Sequence, residues 1–316
     1  MGYKLAGCEV LGGVEIDKGM MALYRANNNP RYSYLMGVQD FNKIPLEKIP
    51  EDLKNLDILD GSPPCSVFST AGKRHKKWGE ENYFREGQAK QKLDDLFFHF
   101  IETADRLRPK VVIAENVKGL ILGKARGYVK EIISRFGEAG YSTQIFLLNS
   151  ARMGVPQVRE RVFFIARRND IEVPKIHLSF DEGVITLKEA FKGSAPQGAK
   201  LLSKKAKQLW ANTKRGDTFS KAAGGNHLWF SSNRLAWERP ARTVQAGSAL
   251  GHPDEPRYLS PNETIRCQSF PEDYSFLDQD AIYVMGMSVP PFMIQRLAKQ
   301  VAKQWLLPTE EKREAV

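Results

Sequence analysis

Residues 61–68 read GSPPCSVF, so a cysteine stands directly after two prolines and just beyond the apolar run LDIL. Proline restricts the backbone, and this rigid approach would hold the Cys65 sulfur in a fixed direction. A thiolate placed where a strand meets a loop can act as a nucleophile. Taken alone, a structural cysteine is the more common explanation, because free cysteines are among the most buried residues.

Two further segments carry charged residues at the ends of apolar runs. Glu115 lies in ENV, after the run VVIA, and Arg159 and Arg161 lie in QVRER, before the run VFFIA. Ligands bind at the carboxyl edge of parallel sheets, so a thiol, a carboxylate and two guanidinium groups would converge on one crevice. At any single position a surface ion-pair network is the alternative, and the convergence with Cys65 favours a reactive site.

The elements that must position these groups alternate between short β-rich runs and amphipathic helical patterns. This alternation predicts an α/β fold with a parallel sheet. The clearest helical pattern is AKQKLDDLFFHFIETADRL, and the expected strands are CEVLGGVEID, LDILDGSPPC, PKVVIAENV, GYSTQIFLLN and RERVFFIARR.

The amino-acid composition changes after residue 168. Residues 169–238 are rich in Lys, Gly, Ser and Asn, with interspersed Trp and Phe, and we interpret them as a small separate domain or insertion. Residues 239–307 end in a helical pattern with Ile294, Leu297, Val301 and Trp305 at helical spacing. The charged residues 308–316 form a tail that we expect to fray.

Composition narrows the class of protein. The 316 residues are 42% hydrophobic and carry a net charge of +10, which favours a nucleic-acid partner over the alternative of a merely soluble basic protein. The three cysteines form no CxxC pair and the five histidines are scattered, so we expect a reducing cytoplasm and no metal site. No run approaches the length of a membrane span, so we expect no membrane partner.

Six segments stand in a characteristic order: GSPPCSVFS, ENV, QVRER, ERPARTV, LSPNETIRCQSFPEDY and GMSV. Through them the chain resembles the DNA cytosine-5 methyltransferases of bacterial and phage restriction-modification systems over nearly its whole length. The resemblance implies a doubly wound, Rossmann-like S-adenosylmethionine-dependent methyltransferase domain with a small target-recognition domain. Residues 1–168 would then be the catalytic and cofactor-binding domain, 169–238 the target-recognition region, and 239–307 the remainder of the recognition domain returning to the catalytic domain.

The resemblance also implies a reaction, methyl transfer to C5 of a cytosine within a short specific sequence of double-stranded DNA. C5 is a weak nucleophile, and a Cys65 thiolate adding at C6 would activate it. Glu115 would hold or donate a proton at the ring, while Arg159 and Arg161 would place positive charge beside the base. Because Cys65 cannot reach a base inside a duplex, the target cytosine must be flipped out.

The cofactor and DNA contacts are predicted residue by residue. Glu15 ends the first visible strand, where a carboxylate commonly accepts both ribose hydroxyls of an adenosine. Asp40 matches the acid that contacts the adenine amino group. The other S-adenosylmethionine contacts implied by the resemblance are Ile16, Phe41, Pro64, Leu96 and Ser288. The implied DNA contacts are Ser69, Lys73, Gln157, Arg239, Arg242 and Thr243, with Lys204, Lys205 and Lys207 as contacts to the DNA backbone.

Several of these DNA contacts have alternatives. A simple solvated loop is the alternative for any single lysine around Ser69 and Lys73. Arg239 and Arg242 would either brace the recognition domain or touch phosphate, and Thr243 would help to join the two domains. The family resemblance further implies a monomer on DNA in the cytoplasm of a bacterial or phage-infected cell, associated with the nucleoid.

The sequence departs from the family in two places. It lacks the strand that leads into a Phe-x-Gly-x-Gly-Gly loop, and Met287 stands where asparagine is usual. The missing strand would be central in a doubly wound sheet, so its two neighbours would face a gap. Three explanations are open: a start further upstream, which is the simplest, a second polypeptide that supplies the strand, or a decayed remnant.

Rival functions are a tRNA cytosine-5 methyltransferase and an inactive protein that only binds DNA. A Rossmann oxidoreductase is disfavoured, because no G-x-G-x-x-G follows a strand.

Overall fold

The computed structural model describes residues 1–63, 81–82, 91–92, 95–122, 126–193, 196–247 and 249–307. Its strands are β1 Gly12–Glu15, β2 Tyr32–Leu35, β3 Ile58–Gly61, β4 Glu81–Asn82, β5 Gln91–Lys92, β6 Val111–Val117, β7 Tyr141–Asn149, β8 Glu160–Arg168, β9 Ser232–Arg234 and β10 Ala249–Gly251.

The α-helices are α1 Gly2–Leu5, α2 Lys18–Asn28, α3 Val38–Asn42, α4 Glu51–Lys54, α5 Leu96–Leu107, α6 Arg126–Glu138, α7 Leu187–Ala190, α8 Lys204–Asn212, α9 Phe219–Ala222, α10 Pro261–Cys267, α11 Ala281–Met287 and α12 Pro291–Val301. A π-helical stretch, Ala302–Leu306, follows α12.

The chain divides into two compact units. The sheet unit contains Glu9–Leu148, Glu160–Leu178 and the residues from Gln300 onward. The loop-rich unit contains Met1–Cys8, Asn149–Arg159 and Ser179–Lys299. Most of the predicted target-recognition region therefore lies in the loop-rich unit.

The sheet unit is built on a four-stranded sheet with the order β3-β6-β8-β7. β6 and β8 occupy its centre, and residues Val111–Ala114 and Val162–Ala166 are almost completely buried. Strands covered on both faces need continuous apolar sequence, which is what VVIA and VFFIA supply. α5 and α6 contribute Phe97, Phe100, Ile132 and Phe136 to the same core.

Two expectations about this region are wrong. β3 pairs with β6 in parallel, but β8 runs antiparallel to β6, so the sheet is mixed rather than all parallel. The predicted long helix begins at Leu96, whereas Gln91–Lys92 pairs as a short antiparallel strand with Glu81–Asn82. The stretch AKQK has no large apolar side chain, so it cannot supply the buried face that α5 has from Leu96 onward.

β1 and β2 form a separate two-stranded parallel sheet within the sheet unit. Among the described residues, no strand pairing joins β1 to β3. Gly13 of β1 packs closely against Tyr24 of α2. A Cβ atom at this position would lie only 3.1 Å from the Tyr24 ring. Asp17 caps the N-terminus of α2, and its side chain accepts the N–H groups of Gly19 and Met20.

The loop-rich unit has its own apolar core, which includes Leu187, Val244, Leu259, Phe270 and Met285. Two of its short helices begin with reciprocal capping boxes, Thr186 with Glu189 and Ser260 with Glu263. α12 begins at Pro291, where the missing N–H of proline costs nothing in the first helical turn.

Candidate active site

Glu115 and Arg161 meet at one end of the sheet unit's central strands. The antiparallel register pairs Val117 with Arg161, so the end of β6 lies beside the start of β8. Arg161 Nε donates to Glu115 Oε1 at 2.9 Å, and the two side chains are 15% and 14% exposed. Burial lowers the pKa of the Arg161 guanidinium, while the charge and hydrogen bond of Glu115 act in the opposite direction. The two side chains are therefore largely buried, but part of each remains accessible to solvent.

Asn116 holds the start of the proline–cysteine segment in place. Its Nδ2 donates to the carbonyl oxygen of Pro63 at 3.0 Å, and its Oδ1 accepts the N–H of Val117. β3 pairs with β6 up to Gly61 and Ala114, so the chain leaves β3 directly beside the carboxyl end of β6. Four of the predicted site residues, Pro64, Cys65, Ser69 and Lys73, lie outside the described residues.

Asn116 is not among the site residues that the sequence predicts. The available signal was an asparagine directly after a run of buried apolar residues, where a polar side chain needs a hydrogen-bond partner.

Arg159 lies only two residues before Arg161 but has different surroundings. Its side chain is buried in the loop-rich unit, where Nη1 donates to the carbonyl oxygen of Val244 at 2.7 Å and Nη2 donates to that of Gly286 at 3.0 Å. These bonds tie three separated segments of that unit together. The predicted catalytic role of Arg159 stays a prediction.

Gln157 and Thr243 also make contacts within the loop-rich unit. Gln157 is fully buried, its amide oxygen accepts the N–H of Val244, and its Nε2 donates to the Cys267 carbonyl oxygen and to Gln268. Thr243 Oγ1 donates to the Val158 carbonyl oxygen at 2.8 Å. Both side chains thus join the segment before β8 to the segment around residue 243, and their predicted DNA contacts are untested.

Arg239 and Arg242 are exposed and lie near the same turn. Arg242 Nη2 donates to the Gly216 carbonyl oxygen at 2.9 Å. A Cβ atom on Gly216, which has a φ of +87°, would come within 3.3 Å of Arg239 Nη1. The two predicted roles of these arginines are to brace the recognition domain or to contact phosphate. The hydrogen bond of Arg242 supports the bracing role for that residue.

Three of the predicted cofactor residues, Glu15, Ile16 and Asp40, lie at or after the ends of β1 and β2. The Glu15 carboxylate ends β1 and accepts the N–H of Asp17 at 2.7 Å, which orients it at the start of α2. Asp40 lies in the first turn of α3, is well exposed, and pairs with Lys43. A Cβ atom on Gly37 would come within 3.8 Å of both Ile16 and Asp40, so these two side chains flank one turn. Two carboxylates beside an apolar side chain suit the ribose hydroxyls, amino group and ring of an adenosine.

Of the other predicted cofactor residues, Phe41 and Leu96 are buried and Ser288 is half-buried. Phe41 is buried, with its ring edge-on to Tyr34, and Leu96 is buried at the start of α5. Ser288 follows α11 in the loop-rich unit and its Oγ donates to the Val284 carbonyl oxygen. Met287, beside it, is exposed.

Some surface features bear on partners. Lys204, Lys205 and Lys207 are exposed on α8, and no ion pair between described residues involves them.

Within the described part of the chain, none of the helices has the length and apolar character of a membrane span. The same residues contain no cluster of three or more His, Cys, Asp or Glu side chains that could hold a metal ion.

Comparisons with known proteins agree with this architecture. The family model of the C-5 cytosine-specific DNA methylases matches residues 1–303. The type II methyltransferase M.NgoPII of Neisseria gonorrhoeae is 29% identical over 96% of this chain and 92% of its own length. M.BspRI of Lysinibacillus sphaericus is 30% identical over 80% of this chain and 62% of its own length. A prophage-encoded E. coli protein described as a DNA modification methyltransferase superposes with a TM-score of 0.72 at 20% identity, covering 96% of this chain and 94% of its own.

Proposed function

The chain belongs to the C-5 cytosine-specific DNA methylase family, an S-adenosylmethionine-dependent class of enzyme, and from this premise we propose a particular reaction. It transfers a methyl group to C5 of one cytosine in a short specific sequence of duplex DNA. The cytosine is flipped out of the helix and held as a covalent adduct between its C6 and the Cys65 sulfur.

The observation that supports this proposal most strongly is the position of Glu115. Its carboxylate has a strong contact with Arg161 through one oxygen at 2.9 Å and is still partly exposed. Asn116, the next residue, is bonded to Pro63, two positions before Cys65. The strand end that carries the acid therefore also anchors the segment that carries the thiol.

Each residue then has a role in the reaction. Addition of the Cys65 thiolate at C6 raises electron density at C5, and a proton from Glu115 at N3 neutralises the charge that develops on the ring. Arg161 orients Glu115 and supplies positive charge beside the base. After methyl transfer, solvent water removes the C5 proton, the C6–S bond breaks to release the Cys65 thiolate, and N3 returns its proton to the Glu115 carboxylate, which restores the aromatic ring.

The residues that follow β1 and β2 fit S-adenosylmethionine, which supplies the methyl group. Glu15 would accept the ribose hydroxyls, Asp40 the adenine amino group, and Ile16 would pack on the ring. Arg159, Gln157 and Thr243 would act by holding the loop-rich unit in shape, and Ser288 would lie at the cofactor's edge.

The separation of β1 from β3 bears on partners. We propose that a strand carrying a Phe-x-Gly-x-Gly-Gly loop lies between them in the active enzyme, and a second polypeptide is one source of it. The active form would otherwise act as a monomer on DNA.

The first experiment is expression of this chain in a methylation-free bacterial host, alone and together with a polypeptide that carries the Phe-x-Gly-x-Gly-Gly strand, followed by base-resolution mapping of 5-methylcytosine. With that strand present we expect methylation at one short motif, none with the Cys65→Ala variant and strongly reduced methylation with the Glu115→Gln variant. Purified duplex DNA and total tRNA are compared as methyl acceptors in parallel. Methylation of tRNA alone would contradict the DNA proposal, and methylation by the Cys65→Ala variant would contradict the covalent mechanism.

A further inference from the structure

The loop-rich unit exposes large apolar side chains where its sequence is most basic. Among the described residues, the three most exposed large apolar side chains are Leu228, Leu201 and Phe230, at 85%, 79% and 69%. All three lie within residues 196–237, which contain eight Lys or Arg residues and one acidic residue. Single exposed apolar residues are ordinary, but two that alternate with a packed tryptophan on one turn call for an explanation.

The turn that carries Leu228 and Phe230 is held rigidly. Gly225 N–H bonds to the Ser220 carbonyl oxygen at 2.8 Å, and the Asn226 side chain accepts the N–H of Leu228 at 3.0 Å. Gly224 and Gly225 have positive φ values, which allow the chain to reverse there.

Trp229 anchors this turn. Its ring lies 6.2 Å from that of the fully buried Phe219, centroid to centroid. The residue between Leu228 and Phe230 therefore packs inward while its two neighbours are held outward. A surface that is ordered before binding loses less conformational entropy when it meets a ligand.

The charges around the turn indicate what the ligand is. α8 packs in the same small core through Ala206, and its Lys204, Lys205 and Lys207 are exposed. The acidic residue of this region, Asp217, is already paired with Lys221. A second copy of this surface would be repelled by its like charge. Duplex DNA presents phosphates outside and stacked apolar bases inside, which matches both features.

We propose that Leu228 and Phe230, the apolar wedge, enter the base stack of bound DNA while the lysines of α8 contact its phosphates. This inference rests on the proposed function, because it requires DNA as the substrate. Leucine and phenylalanine are among the side chains that unstack base steps in known wedges. The wedge would let the enzyme distort the duplex at its recognition site.

The test separates apolar from ionic contacts. The full chain is used to enrich binding sequences from a random pool of short duplexes, and affinity for the enriched duplex is measured over a series of salt concentrations. We expect a Leu228→Ser/Phe230→Ser double variant to bind about 10- to 100-fold more weakly, as for loss of base–side-chain stacking. The slope of log affinity against log salt should stay unchanged, whereas Lys204→Gln/Lys205→Gln should reduce it by about one per lysine.

A spectroscopic measurement accompanies the affinities. In duplexes carrying 2-aminopurine at successive positions, wild type should raise the fluorescence at one step, and the wedge variant should not. The matched control is Leu277→Ser, another exposed leucine of the loop-rich unit, which should change neither quantity.

The failures can be told apart. A wild-type chain that neither binds nor methylates DNA, even with the Phe-x-Gly-x-Gly-Gly strand supplied, would overturn the proposed function itself. Wild-type binding with unchanged affinity and fluorescence in the wedge variant would overturn the wedge alone. If the Leu228→Ser/Phe230→Ser variant had a reduced salt slope, these residues would act through ionic contacts, and the wedge would also be overturned. The same holds if sedimentation showed that the wild type is a dimer and that this variant is not, because the two residues would then belong to a protein–protein contact.

Discussion

The two units each contain a sheltered glutamate–arginine pair, and the two pairs are built differently. In the sheet unit, Glu115 contacts Arg161 through a single oxygen, and both side chains remain about 15% exposed. In the loop-rich unit, Glu263 and Arg257 form two bonds at 2.7 and 2.9 Å, with side chains 4% and 7% exposed. Glu263 also accepts the N–H of Ser260, and Arg257 also bonds to Glu255.

We propose that this difference distinguishes a reactive pair from a structural one. The carboxylate of Glu263 accepts three hydrogen bonds from Arg257 and Ser260 and is almost completely buried, so little of it is open to a ligand. Among the described residues only one oxygen of Glu115 has an ion-pair contact, and its side chain is partly exposed, which leaves room for a substrate. We expect substitutions in the first pair to reduce activity, and those in the second to reduce stability.

The largest expected effect is on catalysis. Glu115→Gln should lower kcat for methyl transfer by about 10²–10⁴-fold, because the amide cannot donate a carboxylic proton to the ring. The melting temperature should stay close to that of wild type, since glutamine can still accept from Arg161 Nε. Single-turnover kinetics on the mapped motif measure the rate of methyl transfer, and calorimetry measures the melting temperature. A stable but fully active variant would place the proton donor elsewhere.

The next effect is on stability. Glu263→Gln should lower the free energy of unfolding by about 1.5–3 kcal/mol, because it removes the buried carboxylate that faces Arg257 and leaves only the more exposed Glu255 to balance that charge. Glu131→Gln, which removes the surface partner of Arg135, should cost at most about 0.5 kcal/mol. Urea unfolding of both variants tests this prediction. Equal losses would mean that the buried pair has no structural advantage.

Asn116 follows Glu115 in β6 and donates to the Pro63 carbonyl oxygen. We expect its substitution to have an intermediate effect. Asn116→Asp keeps the size of the side chain but removes the donor to the Pro63 carbonyl oxygen, at a cost of about 1–3 kcal/mol. We expect a lower kcat with cofactor affinity unchanged. Titration with S-adenosylmethionine gives that affinity, and a parallel loss of cofactor binding would argue for general unfolding.

The smallest effect is a dependence of stability on pH in the loop-rich unit. Burial, with the charge of Arg257, lowers the pKa of His252 despite the nearby Asp254, Glu255 and Glu263. His252 Nδ1 accepts the N–H groups of Asp254 and Glu255, which requires the neutral ring. A lowered histidine pKa means that the unfolded chain takes up a proton first, so stability falls as the pH drops below about 6.5.

A second loss should follow in more acidic solution. Burial by itself raises the pKa of Glu263, but its bonds with Arg257 and Ser260 hold it below its ordinary value. Its contribution is therefore present above the unfolded pKa and is lost as the pH falls through the folded one. His252→Asn, which keeps an acceptor at the Nδ1 position but does not titrate, should abolish the first loss only. Melting temperatures between neutral and mildly acidic pH show both steps.

Much of the sheet unit could be predicted from local pattern. The runs VVIA and VFFIA are short, apolar and bounded by polar residues, and both form central strands. The antiparallel direction of β8 could not be predicted, because strand direction depends on the path of the connecting chain and leaves no mark in a strand's own residues. It is this direction that brings Arg161, at the start of one strand, beside Glu115, near the end of the other.

The sequence by itself determined the family, the apolar strands and the residue types available for chemistry. Only the tertiary structure separated Arg159 from Arg161, which have the same side chain and nearly the same neighbours in sequence. Arg159 donates to carbonyl oxygens of residues 244 and 286, while Arg161 contacts residue 115. A guanidinium takes its function from what surrounds it, and here those surroundings come from distant segments that folding alone brings together.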